Sequence, residues 1–268
     1  MIILLATYNS SKFIEKLFDS LFSQTCQDWS LLIRDDCSTD NTIEIVLRYQ
    51  EIYPARIKIL ANEGVSLGAY LNFVELLTYA CSDYYMFCDH DDIWLPNKVQ
   101  ISYERMKQLE VDNPDKAIIV HTDMKVVDHN LNIIFDSFWE YSNLLPNHTK
   151  FEEIVLCNSA NGCTMLFNNH AREVALKNID NATMHDILLN QSVAGNGGII
   201  SAIKLPTVLY RQHCDNVVGA HKRNFLFYLK KGANLPSLFS NNIATWSRAN
   251  RIRKLSIVKF FWTKIKIF

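Results

Sequence analysis

The chain has 268 residues, of which 49% are hydrophobic and 21% are charged. This length suits one α/β domain or one domain with an appendage, and the composition excludes a disordered chain. The net charge of −1 hides an asymmetry, because all 28 acidic residues lie at or before Asp215 and 11 of the 27 Lys and Arg residues follow it. The body of the protein is therefore acidic and its C-terminal end is basic.

The seven cysteines show no CxxC spacing, so they indicate reduced thiols in a cytosolic protein and exclude a zinc site or a disulfide framework. The apolar start at residues 1–6 lacks a basic region and is too short for a signal peptide. No run of apolar residues reaches the roughly 18 needed for a membrane span. We therefore expect the protein to be made and kept in the cytoplasm.

Strands and helices alternate four times in the first half of the chain. Apolar runs predict strands at residues 2–6, 29–33, 57–60 and 84–88. Helices are predicted at residues 12–23, at about 42–50, at 68–81, and from Pro96 as first helical residue. Asn9 or Ser10 is predicted to cap the first helix, and Ser38 or Thr39 the second. This alternation is typical of a doubly wound sheet with right-handed crossovers.

Polar residues follow each predicted strand. Ligands of doubly wound sheets bind outside the carboxyl ends of the strands, so these residues are expected to line one crevice. They are Thr7, Tyr8 and Asn9 after the first strand, Asp35 and Asp36 after the second, Asn62 and Gly64 after the third, and Asp89 to Asp92 after the fourth.

The acidic run Asp89-His90-Asp91-Asp92 is the most informative of these segments. Three carboxylates so close together repel one another, and burial disfavours their charged forms. A divalent cation relieves that cost, because Mg²⁺ prefers carboxylate oxygens and also binds phosphates. A solvated acidic turn with a helix cap is the alternative.

The pattern changes beyond Lys116 into a mixture of helices and strands. Strands are predicted at residues 117–121 and 161–167, a hairpin at 124–135 with its turn at 128–130, helices at 169–177 and from Met184, and strand-rich chain at 195–209, broken by Gly197, Gly198 and Pro206. This part is expected to form the other wall of the crevice. We find no clean boundary before about Ala220, so residues 1–220 form one predicted domain with halves 1–115 and 116–220.

The tail at residues 221–268 interleaves basic residues with aromatic and aliphatic ones. One interpretation is a pair of amphipathic helices on the anionic inner leaflet of a membrane. The other is helices packed on the body of the protein, with their basic residues facing its acidic surface. A nucleic-acid partner is excluded, because the body is acidic and carries no recognition motif.

Taken together, four segments resemble the family 2 glycosyltransferases of the GT-A fold, in order and in spacing. They are residues 6–9 (Ala-Thr-Tyr-Asn), 33–42 (Ile-Arg-Asp-Asp-Cys-Ser-Thr-Asp-Asn-Thr), 62–64 (Asn-Glu-Gly) and 88–96 (Cys-Asp-His-Asp-Asp-Ile-Trp-Leu-Pro). Residues 210–213 (Tyr-Arg-Gln-His) with 216–219 (Asn-Val-Val-Gly) are similar to the bacterial rhamnosyltransferase-like branch. The resemblance covers about residues 1–220. It implies a GT-A-type doubly wound mixed sheet with helices on both faces, here followed by the basic amphipathic helical tail.

The resemblance implies a nucleotide-diphosphate sugar as donor. Asp36 matches the family's base-binding residue and can accept a hydrogen bond from the imide N–H of uracil or thymine. Thr7, Tyr8 and Asn9 would flank the base, although ordinary strand-end residues are an alternative. Further substrate-binding candidates are Asn62, Gly64 (which can equally be a turn glycine) and Asn72, at a point where relatives often carry a basic residue or Asn.

The resemblance also implies Mg²⁺ or Mn²⁺ on the donor diphosphate. Asp91 is the expected direct ligand and Asp92 is a further metal-binding candidate. Asp89 is a substrate-binding candidate, and either Asp89 or Asp92 reaches the ribose or a metal-bound water. His213 resembles the histidine that completes this site in some relatives, and a structural role is its alternative. The metal would neutralise charge on the leaving nucleotide, which is the Lewis-acid role of a catalytic ion.

Asp186 is the candidate general base, because relatives carry a catalytic carboxylate at a helix start about this far along the chain. A helix cap is its alternative role. His185 precedes it where relatives more often have Glu, and it is expected to contact the acceptor or tune Asp186. One displacement with one base inverts the anomeric centre, so a β-linked donor such as dTDP-rhamnose gives an α-linkage.

The sequence therefore predicts a cytoplasmic, membrane-peripheral inverting glycosyltransferase. It would move rhamnose or a hexose from a dTDP- or UDP-sugar to a glycan or lipid-linked glycan acceptor in surface polysaccharide synthesis. A sugar nucleotidyltransferase would need a Gly-rich phosphate loop, and residues 7–12 contain none. A non-catalytic nucleotide- or membrane-binding scaffold is the remaining alternative, and the presence of Asp36, Asp91 and Asp186 speaks against it.

Overall fold

The computed structural model describes residues 1–148, 150–213 and 235–267. Strands in these ranges are β1 (Ile2–Thr7), β2 (Ser30–Asp35), β3 (Ile57–Ile59), β4 (Tyr84–Asp89), β5 (Ile93–Trp94), β6 (Ile118–Val127), β7 (Ile133–Phe135), β8 (Met165–Asn168) and β9 (Ile199–Arg211). The α-helices are α1 (Ile14–Phe22), α2 (Thr42–Ile52), α3 (Gly68–Tyr79), α4 (Lys98–Asp112), α5 (Phe138–Tyr141), α6 (Phe151–Leu156), α7 (Asn169–Leu176), α8 (His185–Gly195), α9 (Leu235–Ile252) and α10 (Ile257–Ile267).

The described strands form one mixed sheet in the order β3-β2-β1-β4-β8-β6-β9-β5, with β7 paired to β6. The first four are parallel, while β8 runs antiparallel to both β4 and β6. β6 and β9 are parallel, and their register shifts where Pro206 faces Asp123, because proline has no N–H to donate to the ladder. The predicted mixed α/β sheet is confirmed.

Alternate residues of each central strand enter two different cores, as the period of two in a strand requires. In β1, Leu4 packs with α3, α7 and α8, whereas Ile3 and Leu5 pack with α1, α2 and α4. In β4, Phe87 joins the first core and Met86 the second. Helices therefore cover both faces of the sheet, as predicted.

The second half differs from the prediction in three places. The strand predicted to end at His121 continues through Val127 as β6, so it also supplies the first arm of the predicted hairpin. Residues 162–164 form a 3-10 turn, and β8 begins only at Met165. The short strand β5, which pairs with β9, lies directly after the acidic run and was not predicted.

The predicted helix caps are wrong, because those side chains bind other loops. Asn9 has a φ of 45°, and its side chain accepts the Thr39 N–H at 2.8 Å instead of capping α1. Ser38 donates to Asp35 at 2.6 Å instead of capping α2. Pro96 lies two residues before α4, where its carbonyl accepts the Thr25 N–H at 2.7 Å.

The two C-terminal helices confirm the predicted helical tail, and they pack on the body of the protein. Ala249, Leu255 and Phe260 are buried in the same core as Leu4, and Lys259 pairs with Glu152 of α6 at 2.7 Å. Other apolar side chains of α10 remain exposed, including Trp262 at 60%. No helix in the described part of the chain is both long and apolar enough to cross a membrane. Residues 214–234, which include the 216–219 motif and the start of the tail, lie outside the described ranges.

Candidate active site

The carboxyl ends of β2, β1 and β4 lie side by side at one edge of the sheet. Ala6 of β1 is in register with Arg34 of β2 and with Asp89 of β4. Neighbouring strands are about 4.8 Å apart, so the segments that follow β2 and β4 begin about 10 Å from each other, with the end of β1 between them. The predicted crevice therefore has an acidic segment on each side.

On the β2 side, the Asp36 carboxylate is buried and accepts four hydrogen bonds. Oδ1 accepts from Arg34 at 3.1 Å and from the Leu67 N–H at 2.7 Å. Oδ2 accepts from the Ser66 hydroxyl and the Gly68 N–H, both at 2.8 Å. Burial alone would raise the pKa of Asp36, but these hydrogen bonds hold it below its usual value. A carboxylate accepts about four hydrogen bonds, so its capacity is already used.

Asp35 and Thr7 tie the β1 and β2 ends together. The buried Thr7 hydroxyl donates to Asp35 at 2.8 Å, and the Asp36 N–H donates to the Thr7 carbonyl at 2.8 Å. Tyr8, which follows at the carboxyl end of β1, is 52% exposed. Thr7 therefore holds the loop, whereas Tyr8 offers an accessible aromatic face.

The segment after β3 is anchored to the same corner. Asn62 donates to the Asp35 carbonyl and accepts the Gly64 N–H, each at 3.0 Å. Gly64 has a φ of +73°, a left-handed conformation that favours glycine. Gly64 therefore acts as a turn glycine here. Asn72 is buried and accepts from Arg34 at 3.0 Å, which places it behind Asp36.

On the β4 side, the carboxylates have fewer partners. Asp92 is fully buried; its Oδ1 accepts the Arg211 N–H at 3.3 Å, and its Oδ2 has no hydrogen-bond partner among the described residues. Burial, with Asp91 and Asp89 close by, raises the pKa of Asp92 well above its usual value. Burial and the charges of Asp91 and Asp186 raise the pKa of Asp89 to about 7. Hydrogen bonds therefore compensate the burial of Asp92 and Asp89 less than that of Asp36.

His213 lies against Asp91, with His213 Nε2 2.9 Å from Asp91 Oδ2. The His213 ring stacks on Phe13 of the chain before α1 at 4.7 Å between centroids. Burial alone would raise the pKa of Asp91, but the hydrogen bond with His213 and the charge of His90 hold it below its usual value. Asp91 is thus the carboxylate of this cluster that stays ionised.

The donor set fits a divalent cation. Oxygens of Asp89 and Asp92 and the Cys163 sulfur lie within 4.8 Å of one another. The unpartnered Asp92 Oδ2 is the kind of buried atom that a cation satisfies. Burial raises the pKa of Cys163 well above its usual value, so this thiol stays protonated and lines the site without being a ligand for an oxygen-preferring ion.

Asp186 lies at the start of α8, close enough to Asp89 for its charge to raise the pKa of that carboxyl. It accepts from Asn158 at 2.8 Å and from the Ile187 N–H at 2.7 Å. Burial raises the pKa of Asp186 to about 6, which suits a group that must accept a proton near neutral pH. The N-cap residue of α8 is Met184, and its side chain makes no hydrogen bond to the helix.

His185 is buried beside Asp186, and its ring packs against Phe73 at 3.9 Å and Phe87 at 4.7 Å between centroids. Neither ring nitrogen has a hydrogen-bond partner among the described residues. Burial lowers its pKa to about 3, so the ring is neutral. A contact of His185 with substrate stays a prediction.

Three further residues support the site, and sequence reasoning assigned them no role. Arg211 donates from Nε to the Asp91 carbonyl at 2.9 Å, and only its place in the 210–213 motif pointed to it. Lys98 is fully buried with its ammonium 4.5 Å from the centre of the Trp94 ring, and the charge of Asp92 acts on it. Asn158 holds Asp186, and no pattern in the sequence marks it.

The sequence profile described as "Glycosyl transferase family 2" matches residues 2–173. This chain belongs to that family. It is a glycosyltransferase of the inverting hexosyltransferase type, as predicted. The match ends before α8, so it covers the polar segments after β1 to β4 but not Asp186 or His213.

Two curated relatives illustrate the family. The dTDP-rhamnosyl transferase RfbG of Shigella flexneri is 29% identical over 81% of this chain and 74% of its own length. The UDP-Glc:alpha-D-GlcNAc-diphosphoundecaprenol beta-1,3-glucosyltransferase WfgD of Escherichia coli is 36% identical over 39% of this chain and 40% of its own length.

Solved structures agree on the fold. TarS of S. aureus in complex with UDP-GlcNAc superposes with a TM-score of 0.57 at 22% identity, over 80% of this chain and 59% of TarS. The mannosyltransferase PcManGT of Pyrobaculum calidifontis, in complex with GDP-Man and Mn²⁺, gives 0.61 at 17% identity, over 93% and 64%. The chain spans less than two thirds of either structure, and at these identities the likeness shows the GT-A fold.

Proposed function

We propose that this family 2 glycosyltransferase moves rhamnose or a hexose from a dTDP- or UDP-sugar to a glycan acceptor in surface polysaccharide synthesis. The observation that carries the proposal is the meeting of the Asp89–Asp92 cluster, His213 and Asp186 at the carboxyl ends of the sheet. The relatives named for dTDP-rhamnose and UDP-glucose transfer support this choice of donors.

The nucleotide occupies the β1–β2 side of the crevice in this proposal. Asp36 remains ionised and can accept the imide N–H of uracil or thymine, a donor that cytosine lacks. The exposed ring of Tyr8 offers a stacking face, and Asn62 and Gly64 form the wall nearby. Since the four acceptor positions of Asp36 are filled, base binding must displace one donor, and the Ser66 hydroxyl is the one that can rotate away.

Asp91, Asp92 and His213 would hold Mg²⁺ or Mn²⁺, with Asp89 beside them. When bound, the ion would neutralise charge on the diphosphate as the nucleotide leaves. Arg211 fixes this segment through two hydrogen bonds. Its backbone N–H donates to the Asp92 carboxylate, and its side chain donates to the Asp91 carbonyl. The cluster is thus held in place by the protein before donor binds.

Asp186 accepts the proton of the acceptor hydroxyl as that oxygen attacks the anomeric carbon. The Asn158 amide and the Ile187 N–H orient its carboxylate, and its raised pKa lets it take a proton at neutral pH. One displacement with one base inverts the configuration. A β-linked dTDP-rhamnose therefore gives an α-rhamnoside, and an α-linked UDP-hexose gives a β-hexoside.

The acceptor in this proposal is a lipid-linked glycan at the cytoplasmic face of a membrane. The exposed Val258, Trp262 and Ile265 of α10 lie among Lys259, Lys264 and Lys266, a composition that suits an anionic lipid surface. Packing of α9 and α10 on the body leaves this apolar side of α10 available for such contact.

A thermal-shift panel of dTDP-, UDP- and GDP-sugars with and without Mn²⁺ tests the proposal. A bound donor raises the melting temperature by mass action, and we expect the dTDP- or UDP-sugar to do so mainly with Mn²⁺. Asp91→Ala should lose the Mn²⁺-dependent part of the thermal shift. Asp115 is an exposed loop residue, so Asp115→Ala should keep it. A shift that is equal without metal, or confined to GDP-sugars, would contradict the proposed donor site.

A further inference from the structure

A cavity of about 280 Å³ lies between α6, α8 and α9, behind the proposed base. Helix α9 contributes Thr245 and Arg248 to its wall, so the cavity exists only because the C-terminal helix packs on the body. It is separate from the Asp36 corner and from the Asp89–Asp92 cluster, because none of their residues lines it.

The lining of this cavity suits a sugar. Amide groups come from Asn158, Asn190 and Gln191, and hydroxyl groups from Thr183 and Thr245. Aliphatic side chains of α6 and Ile187 form the rest of the wall. A mixture of polar groups and apolar surface in a concave site is typical of small-molecule binding.

Arg248 is the one charged residue among those that line the cavity. Its guanidinium makes no hydrogen bond or ion pair with any residue in the described ranges, although it is half-buried. The nearby Lys259 differs, because Glu152 neutralises it at 2.7 Å. Arg248 also borders an open hollow on α9 with Phe239 and Arg251, so an anion can reach it from solvent.

Hydrogen bonds link the cavity to the proposed base. Asn190 donates to Asn158 Oδ1 at 2.6 Å, and Asn158 donates to Asp186 at 2.8 Å. Both asparagines line the cavity. A sugar bound there therefore contacts the two asparagines that hold the base, and Asn190 lies one helical turn after Asp186 on α8.

We propose that this cavity is an acceptor subsite that binds an anionic group of the acceptor saccharide, a phosphate or a carboxylate, through Arg248. A guanidinium pairs with either anion through two parallel hydrogen bonds, and an unpaired, half-buried cation gains most from such a partner. The assignment to the acceptor rests on the proposed function of Asp186. The proposal that Arg248 binds an anion does not depend on the function of Asp186.

Ligand-observed NMR titration with small sugars tests the inference, in EDTA and without nucleotide. The probes are glucose 1-phosphate, glucuronate and the neutral methyl glucoside. We expect at least one anionic probe to bind more tightly than methyl glucoside, and Arg248→Met to weaken that probe about tenfold or more. The preference between the two anionic probes distinguishes a phosphate from a carboxylate on the acceptor.

Arg251→Met is the matched control, because Arg251 lies on the same helix, is exposed, and borders the outer hollow but not the cavity. It should leave all affinities unchanged. Arg248→Lys keeps the charge and loses the planar fork, so it should retain part of the affinity. Thermal unfolding of each variant shows that the fold is intact.

Equal loss in Arg248→Met and Arg251→Met, or anionic probes that bind no better than methyl glucoside, would overturn the inference. A thermal shift by dTDP- or UDP-sugars, measured in parallel, should be the same in wild type and Arg248→Met. If no nucleotide sugar shifts the wild type while Arg248 still governs anion binding, the proposed function fails and the anion site stands.

Discussion

Most carboxyl pKa values on the two sides of the crevice are shifted in opposite directions. After β2, Asp36 and Asp40 are surrounded by N–H and O–H donors, which overcome burial, keep the pKa of Asp36 low and bring that of Asp40 to about 2. After β4 and at α8, burial dominates, and the pKa values of Asp89 and Asp186 rise to about 7 and about 6. The carboxylates of the first side are satisfied by hydrogen bonds within the chain, whereas burial of those on the second side favours binding of a cation or a proton.

This difference matches the division of labour in the proposed reaction. A base-binding carboxylate must be charged and fixed before the donor arrives, and hydrogen bonds from Leu67 and Gly68 achieve that. A metal-binding cluster must instead bind a cation, and a general base must accept a proton, during the reaction. Three substitutions and one pH profile test the site, from the largest expected effect to the smallest.

Asp186→Asn should lower sugar transfer about 10²–10⁴-fold, because the amide cannot accept the proton of the acceptor hydroxyl. The stabilisation by dTDP- or UDP-sugar with Mn²⁺ should be unchanged. Product formation followed by chromatography measures the loss, with Asp115→Asn as the exposed control. Near-normal transfer by Asp186→Asn would place the base elsewhere.

The stability of metal-free wild type relative to Asp186→Asn should depend on pH. The folded pKa of Asp186, about 6, is raised above the ordinary 3.8, so its stabilising contribution is present below about pH 4 and is lost as pH rises through 6. The unfolding free energy of wild type relative to Asp186→Asn should fall by about 2 kcal/mol between pH 4 and 7.

Urea unfolding at several pH values in EDTA measures this difference. Comparing two variants cancels the opposite contribution of the buried, neutral His121 and His185, whose pKa values are lowered to about 3 and which are shared by both proteins. A difference that does not change with pH would mean that Asp186 is not desolvated.

Gly162→Ala should destabilise the protein by about 1–3 kcal/mol, since a Cβ there would lie 2.2 Å from His185 Nε2 and the ring is wedged against Phe73. The same change should cost less in a His185→Ala background, where the ring is gone. Thermal unfolding of the four proteins in this cycle gives the coupling. Equal costs in both backgrounds would show that the ring moves aside freely.

Ser66→Ala should raise the affinity for UDP or dTDP by roughly 2–10-fold, because it frees one acceptor position on Asp36 for the base. The affinity for CDP, whose base lacks the imide N–H, should not rise. Isothermal titration measures both. A weaker affinity for UDP and dTDP would show that Ser66 itself binds the nucleotide.

Part of this architecture could be predicted from sequence, because it depends on local pattern. The apolar runs that became β1, β2 and β4 are buried on both faces, and such strands are continuous in sequence. The polar residues after them must then meet at one edge. His213 and Asp91, which the resemblance placed in one metal site, lie 2.9 Å apart, while their metal role stays a prediction.

Other features could not be predicted, because they depend on long-range contacts. Ser38 has the residue type and position of a cap, yet Asp35 offers it a stronger, charged acceptor. Cys163 is an ordinary apolar-strand residue in sequence and reaches Asp92 only through the pairing of β8 with β4 and β6. The cavity with Arg248 requires the tail to fold back on α6 and α8.

The most direct test of the central claim is Mn²⁺ binding followed by electron paramagnetic resonance, in the absence of nucleotide, in wild type, Asp92→Asn and Asp36→Asn. If the carboxylates after β4 hold the ion, Asp92→Asn should weaken Mn²⁺ binding at least about tenfold. Asp36→Asn should keep the affinity for Mn²⁺ measured without nucleotide. Wild-type Mn²⁺ affinity in Asp92→Asn, or an equal loss in Asp36→Asn, would contradict the account.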